Sequence, residues 1–242
     1  MSETILVTGA SAGFGQAICR RLVADGYRVI GSARRIDKLQ ALQEELGEAF
    51  YPLQMDVTDL SQVDHALASL PKAWERVDVL VNNAGLALGL APAYEAEVAD
   101  WLTMIQTNIV GLTYLTRKIL PQMVERNDGY IINLGSTAGT VPYPGANVYG
   151  ASKAFVKQFS LNLRADLTGK KIRVSNIEPG LCEGTEFSSV RFKGDEKRVE
   201  ALYQDAHAIQ PEDIADTVAW LIQQPKHVNV NRIEIMPVSQ TF

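Results

Sequence analysis

The amino-acid sequence predicts a single α/β domain over residues 1–242, in which a doubly wound parallel sheet of about seven strands carries helices on both faces. Three observations lead to this fold class. Short apolar runs rich in β-branched residues alternate with stretches whose apolar residues recur at helical spacing. The apolar runs are continuous, as is typical of strands covered on both faces. A glycine-rich turn joins the first strand to the first helix and lets the chain reverse tightly there.

The predicted strands follow one another at regular intervals. They cover residues 4–9, 27–33, 50–57, 77–85, 129–136, 171–180 and 231–238. Predicted helices fill the intervals, over residues 15–26, 36–46, 59–70, about 95–120, 149–167 and 211–224. Gly26 suits the end of the first helix, and Pro211 suits the first turn of the last one. A charged segment, residues 181–207, interrupts the alternation after the sixth strand and predicts a lid over a site.

Composition narrows the class of protein. The net charge is −5 and the sequence pI is about 5.3, which argues against a nucleic-acid partner. No apolar run is long enough to span a membrane, and the first residues lack the pattern of a signal peptide, so we expect a cytoplasmic protein without a membrane partner. The two cysteines and the scattered histidines have no ligand spacing, so no metal site is predicted.

The turn after the first strand reads "TGASAGFG" and contains Gly9, Gly13 and Gly15. Glycines there let the backbone approach a pyrophosphate, and the following helix N-terminus offers free N–H groups. A glycine cluster alone is weak, but its position between a strand and a helix strengthens the prediction of a dinucleotide site.

Further motifs follow in a fixed order along the chain. They are "NNAG" at residues 82–85, Asn108 in "MIQTNIVG", Ser136 in "INLGS", the pair Tyr149 and Lys153, and "EPG" at residues 178–180. Together with the glycine spacing, these motifs resemble those of the short-chain dehydrogenase/reductase family from end to end. The resemblance implies a Rossmann-type fold, oxidoreductase activity and a catalytic set of Asn108, Ser136, Tyr149 and Lys153.

The same resemblance implies which residues contact the coenzyme. Asp56 matches a residue at the adenine ring, and Asn83 matches one near a ribose. The full implied set is Gly9, Ser11, Ala12, Gly13, Phe14, Gly15, Arg34, Arg35, Asp56, Val57, Asn83, Ala84, Gly85, Tyr149, Lys153, Pro179, Gly180, Thr185 and Phe187.

The end of the second strand predicts which dinucleotide binds. NAD enzymes of this fold usually carry an acidic residue there that bonds the ribose hydroxyls. This chain has Ala33 in that position, followed by Arg34 and Arg35. A guanidinium can pair a 2′-phosphate with two parallel bonds, so the sequence favours NADP(H).

Tyr149 and Lys153 lie one helical turn apart, so they share a helix face. A phenol ordinarily has a pKa near 10, and a nearby cation lowers that value. We therefore expect a proton-transfer pair, with Tyr149 as general acid/base. The resemblance adds that Ser136 bonds the substrate oxygen, that Lys153 bonds the nicotinamide ribose and that Asn108 holds a water.

Three longer stretches are more specific than the family motifs: "NNAGLALG" at residues 82–89, "STAGTVPYPGANVYGASKAF" at 136–155 and "EPGLCEGTEFSSVRFKGD" at 178–195. They resemble the NADP-dependent 3-hydroxy acid dehydrogenases, a group that includes serine and L-allo-threonine dehydrogenases and malonic semialdehyde reductases. The resemblance implies a small substrate with an anionic head, for which Arg191 of the lid is the best-placed cation. Ser136, Asn147, Tyr149 and Arg191 are the predicted substrate contacts.

Other functions stay open on the sequence. Sulfoacetaldehyde reductases are close relatives of this group, and a broad aldehyde/ketone reductase would use the same residues. A non-catalytic NADP-binding regulator or a structural protein would not need the serine, tyrosine and lysine together. The resemblance also implies a homotetramer, with apolar Phe155, Phe159 and Leu163 on the helix after Tyr149 as one packing face or as cover for the sheet.

Overall fold

The computed structural model describes residues 3–204 and 207–241. Seven parallel strands form one continuous sheet in the order β3-β2-β1-β4-β5-β6-β7. The strands are β1 (Thr4–Thr8), β2 (Arg28–Ala33), β3 (Phe50–Gln54), β4 (Val79–Asn82), β5 (Gly129–Leu134), β6 (Ile172–Pro179) and β7 (Arg232–Ile235). The predicted fold class is thereby confirmed, and each predicted strand lies where the apolar run stood.

Helices cover both faces of the sheet. They are α1 (Gly13–Ala24), α2 (Ile36–Leu46), α3 (Leu60–Ala68), α4 (Val98–Ile105), α5 (Leu112–Arg126), α6 (Asn147–Asp166), α7 (Phe187–Arg191), α8 (Glu196–Tyr203) and α9 (Pro211–Gln223). Local chemistry sets some of their ends. The Asp59 carboxylate accepts from the N–H groups of Ser61 and Gln62 at the start of α3, and Pro211 opens α9.

Alternate residues of each strand point to opposite faces, so one strand feeds two hydrophobic cores. In β1, Ile5 and Val7 pack with α1 and α9 on one face. Leu6 packs on the other face, in the core that also contains Leu115 and Ile119 of α5. Because both faces are covered, the strand sequences are apolar throughout, which is the pattern that predicted this architecture.

Strand order reverses at β1, which pairs with β2 on one side and β4 on the other. The turns that leave β1 and β4 therefore diverge and open a crevice at the carboxyl ends of the strands. Open α/β sheets bind ligands at this kind of switch point. No helix within the described ranges is both long and apolar enough to cross a membrane.

The structure differs from the sequence-based expectation in the region of residues 95–120. One helix was expected there, but α4 and α5 are joined by a π-helical turn, Gln106–Gly111, and α5 continues to Arg126. The extra residue of a π turn is not visible as a change in apolar periodicity, and such turns occur mostly at functional sites.

The expected lid at residues 181–207 contains α7 and α8. A short parallel bridge between Cys182 and Ile209 joins the start of this segment to the residues that follow its end. Residues 205 and 206 of the expected lid lie outside the described residues.

Candidate active site

A cavity of about 650 Å³ lies at the carboxyl ends of the strands, under the lid. It is bounded by the glycine turn after β1, the ends of β2 to β6, the start of α6 and helix α7. Most of the residues predicted to bind coenzyme or substrate line it: Gly9, Ser11, Ala12, Gly13, Phe14, Arg34, Arg35, Asp56, Val57, Asn83, Ala84, Gly85, Ser136, Tyr149, Lys153, Pro179, Gly180, Thr185, Phe187 and Arg191. Gly15, Asn108 and Asn147 do not line it.

The glycine turn is tightly packed against its surroundings. Gly9 and Gly13 have positive φ angles of 69° and 52°, which side-chain-bearing residues rarely adopt. A Cβ atom on Gly15 would lie 2.2 Å from the carbonyl oxygen of Gly9. Gly15 thus lets α1 approach the turn, which explains why it lies behind the cavity wall.

The N-terminus of α1 faces the cavity without a side-chain cap, since Ala12 at that position makes no capping hydrogen bond. Free backbone N–H groups at a helix start form an anion site. The buried hydroxyl of Ser32, at the end of β2, also lines the cavity and has no hydrogen-bond partner among the described residues. These features fit a dinucleotide with a pyrophosphate and a ribose.

The two arginines after β2 are in different situations. Arg35 donates to both carboxylate oxygens of Glu186 in the lid, at 3.1 and 2.8 Å, and to the Ser11 hydroxyl in the glycine turn. The Arg34 guanidinium has no hydrogen-bond or ion-pair partner among residues 3–204 and 207–241 and is exposed at the cavity edge. Arg34 is therefore the guanidinium at this end that has no protein anion to compete with a phosphate.

Hydrogen bonds made by Asn83 connect the turn after β4 to the end of β1. Its amide nitrogen donates to the carbonyl of Thr8 at 2.8 Å, and the Thr8 hydroxyl accepts from the backbone N–H groups of Asn83 and Ala84. The crevice at the switch point is held open by these bonds, so its shape is set by the protein itself.

Tyr149 and Ser136 meet at the inner end of the cavity. Tyr149 is 8% exposed and its ring packs against Phe187 of the lid, with ring centroids 5.8 Å apart. Burial raises the pKa of the Tyr149 phenol to about 12, an effect that a hydrogen bond with the Ser136 side chain and the charge of Arg191 partly offset. The expectation of a lowered pKa for Tyr149 is thus wrong in direction for the protein chain by itself, because desolvation of the phenolate outweighs the nearby positive charge.

Lys153 lies one turn further along α6 and is buried. Its ammonium nitrogen donates to the carbonyl of Leu134 at 2.8 Å and lies 5.9 Å from the centre of the Tyr149 ring. Burial lowers the pKa of Lys153 to about 8. The cation therefore remains next to the phenol at neutral pH but is held there at a cost in desolvation.

Asn108 lies in the π-helical turn, behind the cavity wall. Its amide donates to the carbonyl of Leu86 and to the hydroxyl of Ser152, and its oxygen accepts from the N–H of Leu86. Ser152 in turn donates to the carbonyl of Tyr149. Asn108 thus ties the loop after β4 to the helix that carries Tyr149 and Lys153, and Ser152 is a link that the sequence reading did not single out.

Arg191 lies at the outer end of the cavity, on α7. Its guanidinium donates to the carbonyl of Gly89 at 3.2 Å and to the hydroxyl of Tyr143 at 3.1 Å. The guanidinium carbon lies 5.4 Å from the Tyr143 ring centre and 5.6 Å from the Tyr149 ring centre. The predicted anion-binding arginine therefore stands beside the predicted acid/base.

Asn147 lies elsewhere. It borders a second, smaller cavity of about 210 Å³, and its amide is occupied by the Trp101 indole and the carbonyl of Ala91. Because both ends of the amide are bonded within the protein, Asn147 supports the loop before Tyr149 and has no group turned towards the main cavity.

Several cavity residues were missed by the sequence reading. Tyr143, Glu186, Tyr203 and Gln240 reach the site from the turn before α6, the lid and the C-terminal segment. Tyr203 donates to the carbonyl of Cys182 and bonds Ser188, while the Gln240 side chain accepts from the N–H of Leu181. None of these residues stands in a fixed-spacing motif. Of the four, only Tyr143 could have been suspected from the sequence, because it lies in the turn-rich run that brings the chain from Ser136 back to Tyr149.

Comparison with known proteins reveals close relatives. Residues 3–196 match the family model described as short chain dehydrogenase. A probable NADP-dependent dehydrogenase of Haemophilus influenzae is 61% identical over 100% of this chain and 96% of that protein. The NADP-dependent 3-hydroxy acid dehydrogenase YdfG of Salmonella typhi is 58% identical over 98% of this chain and 96% of that protein. Among solved structures, the closed form of serine dehydrogenase complexed with NADP+ is 56% identical and has a TM-score of 0.98, covering 99% of this chain and 96% of that one.

Proposed function

This chain belongs to the short-chain dehydrogenase family and is an NADP-dependent dehydrogenase acting on alcohol groups; we propose that it interconverts a short 3-hydroxy acid and the corresponding 3-oxo acid or semialdehyde. The observation that carries the proposal is the convergence of Ser136, Tyr149, Lys153 and Arg191 on one cavity that also contains the glycine turn. The relatives named for 3-hydroxy acids and for serine support the substrate class.

The residues of the cavity fit the coenzyme from end to end. The glycine turn and the N-terminus of α1 would bind the pyrophosphate, Asp56 would contact the adenosine end, and Arg34 would pair with the 2′-phosphate. Bound NADP would supply the acceptor of the hydride that leaves the alcohol carbon. Lys153 and the backbone near Gly85 would hold the nicotinamide end, and Thr185 and Phe187 of the lid would exclude water from it.

Tyr149 is the proposed general base for oxidation and general acid for reduction. At a pKa of about 12 the phenol is protonated at neutral pH and carries the proton that reduction requires. Oxidation requires the phenolate, which a neighbouring positive charge favours. Lys153 supplies a positive charge on the same side of the helix, and Ser136 holds the substrate oxygen against the phenol. In reduction Tyr149 returns the proton to that oxygen. Asn108 keeps α6 at a fixed distance from the loop after β4 through Ser152.

Arg191 is the proposed partner of the carboxylate. A guanidinium can grip a carboxylate or a sulfonate through two oxygens, and remote binding energy of this kind holds the reacting carbon in place. Two bonds to Gly89 and Tyr143 fix the position of Arg191 before substrate enters. Fixing the cation in advance lowers the entropy lost on binding.

A homotetramer is proposed as the assembly. Leu163 belongs to a buried core and Phe159 packs against it, so this part of the predicted stripe covers the sheet. Phe155 is 37% exposed, and Val98 and Leu102 of α4 are 62% and 61% exposed. These exposed apolar side chains, rather than the whole stripe on α6, support packing between subunits.

The test is NADP-linked turnover measured over serine, allo-threonine, 3-hydroxypropionate and isethionate, with a neutral alcohol for comparison. We expect the carboxylates to have the highest kcat/KM. A clear preference for isethionate would identify a sulfoacetaldehyde reductase instead. Equal turnover of the neutral alcohol would indicate a broad aldehyde/ketone reductase, and NADP binding without turnover of any alcohol would indicate a regulator.

A further inference from the structure

Tyr143 lines the same cavity as Tyr149, but it lies outside α6, the helix that carries Tyr149. It lies in the turn between β5 and α6, where its carbonyl accepts from the N–H of Ala146. The turn and the lid thereby bring Tyr143 and Arg191 together, although they are 48 residues apart in the sequence.

The direction of the bond between Tyr143 and Arg191 is fixed by chemistry. A guanidinium has only donors, so the Tyr143 oxygen accepts from Arg191, at 3.1 Å. The phenol therefore keeps its own hydrogen for another acceptor. Among residues 3–204 and 207–241 that hydrogen has no acceptor, and Tyr143 is partly exposed to the cavity.

Tyr143 and Arg191 lie close to Tyr149, the residue proposed to exchange a proton with the substrate. The Arg191 guanidinium lies over both phenol rings, at 5.4 and 5.6 Å from their centres. Tyr143, Arg191 and Tyr149 all line the same cavity, so the three polar groups lie around one space. A short molecule whose hydroxyl reaches Ser136 and Tyr149 can present its other end to the pair.

We propose that Tyr143 donates its phenolic hydrogen to the anionic head of the substrate, so that Tyr143 and Arg191 form a two-donor site that selects short hydroxy acids. The inference rests on the proposed function, because it identifies a second contact for the same substrate. Arg191 supplies the charge and Tyr143 supplies a directed hydrogen bond. Because the Arg191 bond polarises the phenol, the remaining O–H is a better donor.

The experiment uses Tyr143→Phe, which keeps the ring against the guanidinium and removes only the hydroxyl. Kinetics are measured with 3-hydroxypropionate and with its neutral methyl ester. We expect kcat/KM for the acid to fall by about tenfold or more, mainly through KM, as for a lost hydrogen bond to a charged group. The ester should change by less than about threefold. The inhibition constant of propionate, which binds without reacting, should rise in parallel with KM.

A second comparison separates direct donation from an effect through Arg191. In an Arg191→Ala background, Tyr143→Phe should still weaken propionate binding, whereas no further loss would overturn the proposal. Tyr203→Phe is the matched control, since it loosens the lid and should affect acid and ester alike.

The proposal is also overturned if Tyr143→Phe lowers kcat/KM by the same factor for the acid and for the ester. Wild-type protein that turns over no 3-hydroxy acid would instead contradict the proposed function, and this inference with it.

Discussion

Burial shifts the pKa values of both Tyr149 and Lys153 in the active site. Burial raises the pKa of the phenol to about 12 and lowers the pKa of the ammonium to about 8, so each charged form is disfavoured. The sequence predicted that these residues pair, because their spacing places them on one helix face. It could not predict the pKa values, which depend on how completely the lid and α6 exclude water.

Lys153→Met should stabilise the folded protein at neutral pH. The pKa of Lys153 is about 8 in the folded protein and has its ordinary value of 10.5 in the unfolded chain. Between pH 8 and pH 10.5 the unfolded chain therefore binds more protons than the folded protein does. Stability therefore rises with pH across that window, and below it the full desolvation cost of Lys153 is present. We expect a gain on the order of 1–2 kcal/mol at pH 7, after the unpaired Leu134 carbonyl is allowed for.

Urea unfolding at neutral pH and above pH 10.5 measures this effect. The difference between the variant and wild type should shrink as pH rises through the window. A constant difference at every pH would mean that the folded protein does not depress the pKa of Lys153.

Arg34 and Arg35 were equivalent in the sequence, and the structure separates them. Arg35 is paired with Glu186, a lid residue 151 positions away, which no local pattern could reveal. Arg34→Ala should therefore weaken NADPH binding by roughly 1–3 kcal/mol, the scale of a hydrogen bond between charged groups, and leave NADH nearly unchanged. Fluorescence titration with both coenzymes tests this expectation; equal losses would show that Arg34 does not contact the 2′-phosphate.

Among the elements, the lid is the one whose contacts decide access to the site. Glu186 at its start pairs with Arg35, and Lys193 beyond α7 pairs with Asp100 of α4 at 2.8 Å. Both ends of the short helix α7 are thus tied to the body of the protein. Its position after β6 was predictable from the break in alternation, but its anchoring residues were not, because they depend on contacts distant in sequence.

Glu186→Gln should loosen the lid at the coenzyme end. The pair is solvent-exposed, with 43% and 56% of the two side chains accessible, so its contribution is small and salt-dependent. We expect the NADP+ dissociation rate to rise by up to about fivefold at low salt and to match wild type at high salt, where the charges are screened. Stopped-flow displacement measures the rate. Slower release in the variant would instead mean that Glu186 competes with the 2′-phosphate for Arg35.

The region of α4 and α5 contains a π-helical turn that the sequence did not predict. The apolar pattern predicted a helix over residues 95–120, yet the π turn that places Asn108 lies within it. Gly111 in this turn packs against Val57, where a Cβ would come within 2.7 Å of the Val57 carbonyl. Close backbone approach is a tertiary requirement, so periodicity alone does not predict it.

For the molecule as a whole, the sheet and the location of the site were predictable from the sequence. Apolar strands that alternate with helices and a glycine turn after the first strand predicted a ligand site at the carboxyl ends of the sheet. The structure adds the reversal of strand order at β1 that opens the crevice. The residues closing that crevice, among them Tyr143 and Glu186, could not be predicted, because they arrive from loops whose paths depend on packing. The coenzyme half of the cavity thus follows from motifs. The substrate half follows from the sequence only in part, since Ser136, Tyr149 and Arg191 were predicted whereas Tyr143 was not.

We propose that Tyr149 transfers the proton in an NADP-dependent oxidation of 3-hydroxy acids. The Tyr149→Phe variant tests this role when it is assayed for NADPH formation from the best 3-hydroxy acid and, separately, for NADPH binding. We expect turnover to fall by at least about a hundredfold, the scale of general acid–base catalysis, while coenzyme affinity stays close to wild type. Near-normal turnover by this variant would mean that a group other than Tyr149 transfers the proton.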